Sequence, residues 1–111
     1  MQMKLPMLTV YSGPRLVAPD AVAACKTYRD AVKVCWQLRT RTRMTKAQLA
    51  EECGCYASHM TDYLSDNEKA RELPACRITA VEVSCGNRLI TQWLAAQAQL
   101  TILETFIQRA A

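Results

Sequence analysis

The sequence is poor in the residues that interrupt helices. Its 111 residues include only three glycines and four prolines, whereas alanine, leucine, glutamine and arginine, which favour helices, are common. Half of the residues are hydrophobic, and this excludes an intrinsically disordered chain. A chain of this length is sufficient for one domain with a buried core. The composition therefore predicts a single all-α domain.

Several signatures of enzymes, secreted proteins and membrane proteins are missing. The sequence has no glycine-rich phosphate loop, no serine nucleophile elbow and no metalloprotease histidine pair. No apolar stretch approaches the roughly 20 residues needed to cross a bilayer, and the apolar run 7–11 is too short for the core of a signal peptide. We therefore predict a cytoplasmic protein that is not an enzyme, needs no cofactor or metal, binds no small-molecule substrate and has no membrane partner.

Six cysteines are present, an even number that raises the question of disulfides. Because nothing else in the sequence suggests secretion, we expect reduced thiols that pack as small hydrophobic side chains. Cys53 and Cys55 are separated by one residue, whereas zinc ribbons and thioredoxin-like sites use two. We therefore predict that this pair is buried rather than bound to a metal, and that His59, the only histidine, projects outward without a catalytic role.

Five helices are predicted along the chain, at approximately residues 20–41, 46–53, 57–65, 73–85 and 88–108. Asp20, Thr45 and Asn87 are placed to cap the first, second and last of these helices, and Gly86 is placed to end the fourth. Residues 1–18 precede the first helix. We predict that they form a short irregular arm ahead of a domain that spans residues 19–111.

The segment 44–64 is the most informative part of the sequence. Ala50 is small at a position where two helices would cross, and Gly54 lies where a turn needs positive φ. The spacing of the apolar residues buries one side of both helices; these residues are Leu49, Cys53, Cys55, Met60 and Leu64. Such a pattern is typical of a helix-turn-helix, whose second helix most often enters the DNA major groove.

Basic residues are concentrated just before this segment. The net charge is only +4, but residues 26–46 contain seven lysines and arginines against one acid, Asp30. A basic region ahead of a helix-turn-helix can lie along a phosphate backbone, while the alternative is a solvated helix face. We predict that the phosphate contacts come from Lys33, Arg39, Arg41, Arg43 and Lys46.

The succession Leu49-Ala50, Cys53-Gly54, Met60 and Leu64 resembles the helix-turn-helix of the lambda-repressor-like family, which includes phage repressors, Cro-like proteins and related bacterial regulators. With the flanking helices, the resemblance extends over approximately residues 20–108. It implies a five-helix fold, binding to double-stranded DNA and regulation of transcription. It also implies a symmetric dimer on a palindromic operator.

The resemblance assigns six residues to base-reading positions: Tyr56, Ala57, Ser58, Thr61, Asp62 and Ser65. Lys46 matches a position that often touches a phosphate, and His59 matches a position at the edge of the groove, where we predict a further phosphate contact. The chain departs from the family where Tyr56 replaces a small capping residue and where Asp62 places an acid in the recognition helix. In addition, no arginine on the exposed face of this helix is available for a bidentate contact with guanine.

The last predicted helix has a longer apolar stripe than so small a domain needs. We expect part of this stripe to close the core and the remainder to form a dimer surface. The predicted interface residues are Trp93, Leu100, Leu103, Phe106 and Ile107.

The sequence favours a dimeric, sequence-specific DNA-binding regulator, such as a phage or prophage repressor. Because of Asp62 and the missing arginine, an alternative is a protein-interaction module that has the helix-turn-helix shape and binds a host or phage protein. A third possibility is a structural protein that binds DNA without sequence preference. The moderate net charge of the chain argues against it.

Overall fold

The computed structural model describes the backbone of residues 13–110 and the side chains of residues 13–99. This part of the chain contains six α-helices: α1 (Pro19–Ala23), α2 (Tyr28–Gln37), α3 (Lys46–Cys53), α4 (Ala57–Tyr63), α5 (Ile78–Cys85) and α6 (Leu89–Ala110). A 3₁₀ turn, Ala75–Arg77, leads directly into α5. The all-α class is thus confirmed over the described range. None of the helices described is both long and apolar enough to cross a bilayer.

The prediction of one long first helix over residues 20–41 is wrong, and six helices replace the expected five. The backbone N–H of Asp30 donates to the Thr27 hydroxyl (3.1 Å), and the Asp30 carboxylate accepts from the backbone N–H of Lys26 (3.2 Å). These bonds make a new helix start at Tyr28, so that α1 ends after one turn. Asp20 lies inside the first turn of α1, whose N-cap is Ala18.

Helices α3 and α4 are joined by a three-residue turn, as the sequence predicts. The side chain of Thr45 accepts from the backbone N–H of Gln48, and the Gln48 side chain accepts from the Thr45 N–H, which completes a capping box. Gly54 ends α3 with φ of 71°, and Tyr56 precedes α4 without a capping bond from its side chain. The inner sides of both helices are buried through Leu49, Ala50, Cys53 and Met60.

The hydrophobic core lies where α2, α5 and the start of α6 meet the α3–α4 pair. Its fully buried side chains come from all five of these helices and include Val32, Cys35, Leu49, Met60, Val81, Cys85, Leu89 and Ile90. α6 packs along α2 and α1 through its first turns. Residues 94–99 of α6 are exposed, so the helix extends beyond the part that closes the core.

Polar side chains fix the start of α6. The buried carboxylate of Glu82 accepts from both the backbone N–H and the hydroxyl of Thr91, each at 2.7 Å. The Asn87 side chain accepts from the N–H of Leu89 (3.1 Å) and donates to the carbonyl of Cys35 (3.0 Å). The predicted role of Asn87 as a cap of the last helix is confirmed, and Asn87 also ties this helix to α2.

The described end of the predicted arm lies against the corner between α5 and α6. The N–H of Arg15 donates to the carbonyl of Gly86 (3.0 Å), and the N–H of Arg88 donates to the carbonyl of Arg15 (2.9 Å). The backbone of Val17 exchanges two hydrogen bonds with the Gln92 amide, at 2.8 and 2.9 Å. Residues 13–18 are therefore attached to the domain, while residues 1–12 of the predicted arm lie outside the described part.

Candidate nucleic-acid interface

The outward side of α4 and its preceding residue is open to solvent. The Tyr56 side chain is 74 % exposed, and Ala57, Ser58 and Thr61 are exposed beside it. The hydroxyl of Thr61 donates to the carbonyl of Ala57 (3.1 Å) and keeps its lone pairs free to accept from a ligand. Four of the six predicted base-reading residues thus share one accessible surface, which we call the α4 face.

The other two predicted base-reading residues lie at the C-terminal end of α4 and are half-buried. The carboxylate of Asp62 accepts from Nη1 of Arg71 at 2.9 Å. The Ser65 hydroxyl accepts from the N–H of Asn67, also at 2.9 Å. Both side chains therefore have partners within the chain, and the charge of Asp62 is neutralised locally.

A buried arginine that the sequence does not mark as structural holds this end of α4 in place. Arg29 on α2 is only 7 % exposed. Its two terminal nitrogens donate to four backbone carbonyls at 2.6–3.1 Å, those of Asp62, Ser65, Ala70 and Arg71. The guanidinium therefore joins α2, the end of α4 and the loop that follows it. In the sequence Arg29 is one of several basic residues in a row of helix positions. Nothing in the local pattern indicates that it makes a long-range contact, so the sequence cannot distinguish it from its exposed neighbours.

Arg39, one of the predicted phosphate contacts, is occupied within its own turn. Its guanidinium donates to the carbonyls of Met44 (3.2 Å), Trp36 (3.1 Å) and Thr42 (3.0 Å). It also stacks over the Trp36 ring, 3.9 Å from the ring centroid. These contacts close the turn between α2 and α3, and a phosphate would have to compete with them.

Two further predicted phosphate contacts form ion pairs. Lys33 pairs with Asp66. Arg41 donates to both carboxylate oxygens of Glu52, one of them at 2.9 Å, and to the carbonyl of Ser84. The pairing with Arg41, followed by a hydrogen bond from the Ser84 side chain, lowers the pKa of Glu52 to about 2. The Arg41–Glu52 pair links the α2–α3 turn to α3.

The remaining predicted cations are available to a ligand. Arg43 and Lys46 are exposed, and neither forms an ion pair with any residue in the range 13–99. Lys46 is the first residue of α3. The lysines and arginines of the predicted phosphate-binding set are therefore divided between two free cations and three that have partners within the protein.

His59 lies between two tyrosine rings on one side of α4. The ring centroids of Tyr56 and His59 are 5.2 Å apart with edge-to-face geometry, and those of His59 and Tyr63 are 6.5 Å apart. Nearby, Arg77 donates from Nη1 to the carbonyl of Cys53 at 2.8 Å. Arg77 is not among the predicted site residues, since it lies more than 20 residues after the turn that it contacts.

The proposed dimer residues have different environments. Trp93 is half-buried within its own chain, donates to the carbonyl of Cys25 (2.9 Å) and packs against Tyr28 with ring centroids 6.4 Å apart. Leu100, Leu103, Phe106 and Ile107 lie on α6, but their side chains are outside the described part. A dimer formed by these residues stays a prediction.

All six cysteines are free thiols. Burial is the main cause that raises the pKa of Cys53, to about 11, so this thiol is protonated near neutral pH. In the part of the chain that the structure describes, no group of three histidine, cysteine or acidic side chains is arranged to hold a metal ion.

No protein-family model matches the chain, and the comparisons with curated proteins and with solved structures also give no match. The geometry of α3, α4 and the residues around them therefore indicates the function.

Proposed function

We propose that the protein is a sequence-specific, double-stranded DNA-binding regulator of transcription. In this proposal α3 and α4 form a helix-turn-helix of the lambda-repressor-like type, and α4 is the recognition helix. The observation that carries the proposal is the contrast between the two sides of α4. Met60 is fully buried and packs the helix against the core, whereas Tyr56, Ser58 and Thr61 are exposed to solvent on the opposite side.

The size and chemistry of the α4 face suit a DNA groove. α4 has seven residues, and an α-helix with its side chains is about 10–12 Å across, which matches the width of about 12 Å of the B-DNA major groove. The Ser58 hydroxyl can donate to or accept from a base edge, the Thr61 hydroxyl can accept from one, and the methyl group of Ala57 can contact a thymine methyl. The N-terminal residues of a recognition helix are those that contact bases in known helix-turn-helix complexes.

The charges around the α4 face support the same proposal. Arg43 and Lys46 are free to neutralise phosphates on one flank, and such contacts position a protein on the duplex without reading its sequence. Arg71 neutralises Asp62, so this acid does not face the phosphate backbone as an isolated negative charge. Regulation would follow from occupancy of a promoter, where the bound protein blocks access of the polymerase.

A dimer would give this small interface its specificity. Two copies joined through the distal part of α6 would present two α4 helices to half-sites about 34–36 Å apart, one turn of the duplex. Repressors of phages and prophages use this arrangement. The extension of α6 beyond the core supports the proposal, since residues 94–99 are exposed.

The proposal is tested by selecting duplexes from a randomised pool with the purified protein. We expect an enriched inverted repeat, bound about 10³-fold or more tightly than a scrambled duplex at the same salt concentration. Fluorescence anisotropy titrations with the two duplexes measure that ratio. Failure to enrich any sequence, together with equal affinity for both duplexes, would contradict sequence-specific binding.

A second candidate function is a protein-interaction module, and one observation favours it. Lys33, Arg39 and Arg41 are engaged within the chain, so fewer cations are free for phosphates than the sequence suggests. In that case the α4 face would bind another protein. Stoichiometric co-purification of a protein partner that no longer binds after substitution of Tyr56, with no DNA affinity, would favour this candidate.

A further inference from the structure

A polar cleft lies beside the first turn of α4, next to the α4 face. Its volume is about 510 Å³. The residues that line it come from the α3–α4 turn, from α4 and from the 3₁₀ turn before α5, and they are Gly54, Cys55, Tyr56, His59, Tyr63 and Arg77. No carboxylate is among them, and several carry N–H or O–H donors. A cleft with this lining is suited to an anion.

Arg77 supplies the positive charge of the cleft. Its Nη1 donates to the carbonyl of Cys53 (2.8 Å), which anchors the side chain against the turn. Gly54 leaves room for this approach, since a Cβ there would lie 3.2 Å from Nη1. Among residues 13–99, Arg77 has no carboxylate partner. Because a guanidinium carries five N–H donors, most of its hydrogen-bonding capacity remains for a ligand.

Tyr63 is a second indication of a ligand site in this cleft. It is only 6 % exposed, and within the described part of the chain its hydroxyl has no hydrogen-bond partner. Buried hydroxyls in folded proteins nearly always have a partner, either within the protein or in bound water or ligand. His59 packs against the Tyr63 ring and adds an imidazole group to the same wall.

We propose that this cleft binds a phosphate group, with Arg77 as the charged contact and with Tyr63 and His59 as hydrogen-bonding groups. We assign the phosphate to the DNA backbone, because the cleft borders Tyr56 at the start of the α4 face. That assignment rests on the proposed function. A free phosphorylated molecule has the same chemistry, and a cleft of this volume falls within the range of small-molecule sites.

The first experiment uses inorganic phosphate with the full-length protein. Chloride is replaced by phosphate at constant ionic strength, while ¹H–¹⁵N spectra follow the Arg77 side chain and the backbone amides of Gly54 and Tyr56. We expect saturable shifts at these groups. Arg77→Met should abolish them, and Arg77→Lys should retain part of them because it keeps the charge.

Tyr63→Phe is a second variant that keeps the buried ring and removes only the hydroxyl, so it tests the cleft even if Arg77→Met folds poorly. We expect it to weaken phosphate binding about fivefold. Arg88→Met is the matched control. It removes one positive charge at the far end of α5, from a residue that does not line the cleft, and should leave the shifts unchanged.

The second experiment identifies the source of the phosphate. The DNA dissociation constant is measured against salt concentration for the wild type, Arg77→Met and Arg88→Met. If the cleft holds a backbone phosphate, Arg77→Met weakens binding about tenfold and reduces the salt slope by about 0.9 for each phosphate that is no longer neutralised. The Arg88→Met slope should equal that of the wild type.

The outcomes separate this inference from the proposed function. Suppose that inorganic phosphate shifts the NMR signals of the cleft, while Arg77→Met leaves the salt dependence of DNA binding unchanged. This result would support an anion cleft and overturn its assignment to the DNA backbone. Shifts in a protein that binds no DNA would support the cleft while the proposed function fails. If inorganic phosphate causes no shifts beyond those of chloride and Arg77→Met leaves the DNA slope unchanged, the inference is overturned, even if α4 reads DNA.

Discussion

Arg71 donates from Nη1 to Oδ2 of Asp62 at 2.9 Å, and the pair closes the C-terminal end of the α4 face. If α4 faces DNA as proposed, an isolated acid on this helix would repel the phosphates. Here the neighbouring loop supplies the compensating charge, and Arg29 fixes that loop through the carbonyls of Ala70 and Arg71. The charge pattern of α4 therefore depends on residues that lie outside the helix.

This pairing predicts that Arg71→Met weakens DNA binding several-fold, because it leaves the Asp62 carboxylate without its partner. The stability should change by less than about 1 kcal/mol, since both groups are partly exposed. Adding Asp62→Asn to Arg71→Met should recover part of the affinity. Anisotropy titrations of the wild type and these variants measure this coupling. A double variant that binds more weakly than Arg71→Met would contradict the neutralising role.

Arg29→Met should destabilise the fold by about 2–4 kcal/mol, because four backbone carbonyls lose their donor in a buried environment. Urea denaturation followed by circular dichroism gives the free energy of unfolding. Arg43→Met is the matched control, since it removes an exposed arginine and should stay within about 0.5 kcal/mol of the wild type. Equal stability of the two variants would show that Arg29 does not hold the end of α4.

Gly86→Ala should destabilise the protein by about 2 kcal/mol or more. Gly86 has φ of 82°, a conformation that is unfavourable for alanine, and a Cβ at this position would lie 2.4 Å from Oγ1 of Thr40. Adding Thr40→Ala removes the closest clash, so the double variant should be more stable than the sum of the single effects predicts. Thermal unfolding of the four proteins tests this, and strictly additive effects would contradict the contact.

The Arg41–Glu52 pair predicts a specific pH dependence. The folded pKa of Glu52 is about 2, below its ordinary value of 4.5, and the first cause is the hydrogen bond from Arg41. The pair therefore stabilises the fold above pH 4.5, and this contribution disappears as the pH falls towards 2. The difference in Tm between wild type and Glu52→Gln should be largest above pH 4.5 and should shrink at pH 2.

Glu51→Gln is the control for that series. Glu51 is exposed on the same helix and forms no ion pair with residues 13–99, so its variant should follow the wild-type Tm across the pH range. A Tm difference for Glu52→Gln that stays constant from about pH 7 to pH 2 would contradict the role of this ion pair.

Local signals in the sequence were sufficient to predict the two helices α3 and α4 and the turn between them. Thr45 and Gln48 form a capping box within four residues, and Gly54 adopts the positive φ that its place after α3 requires. The break between α1 and α2 also has a local cause, since Thr27 and Asp30 cap a new helix. The apolar stripe continues across the break and therefore favoured one long helix over a new helix capped by Thr27.

The long-range contacts of the arginines could not be predicted from the sequence. Arg29 and Arg39 cannot be distinguished by composition from exposed cations, and only the fold shows that backbone carbonyls surround their guanidinium groups. Arg77 reaches the α3–α4 turn from 23 residues beyond Gly54. Whether a cation is free for a phosphate depends on such partners, which are set by packing and not by spacing along the chain.

The base preference of variants on the α4 face shows whether α4 is the recognition helix. Thr61→Ala and Ser58→Ala leave the buried side of α4 unchanged, and each should relax the preference at one position in each half-site and weaken binding to the selected duplex by about 1–3 kcal/mol. Lys46→Ala should weaken all duplexes equally. If Thr61→Ala and Ser58→Ala leave the base preference of the wild type intact at every position, α4 is not the recognition helix.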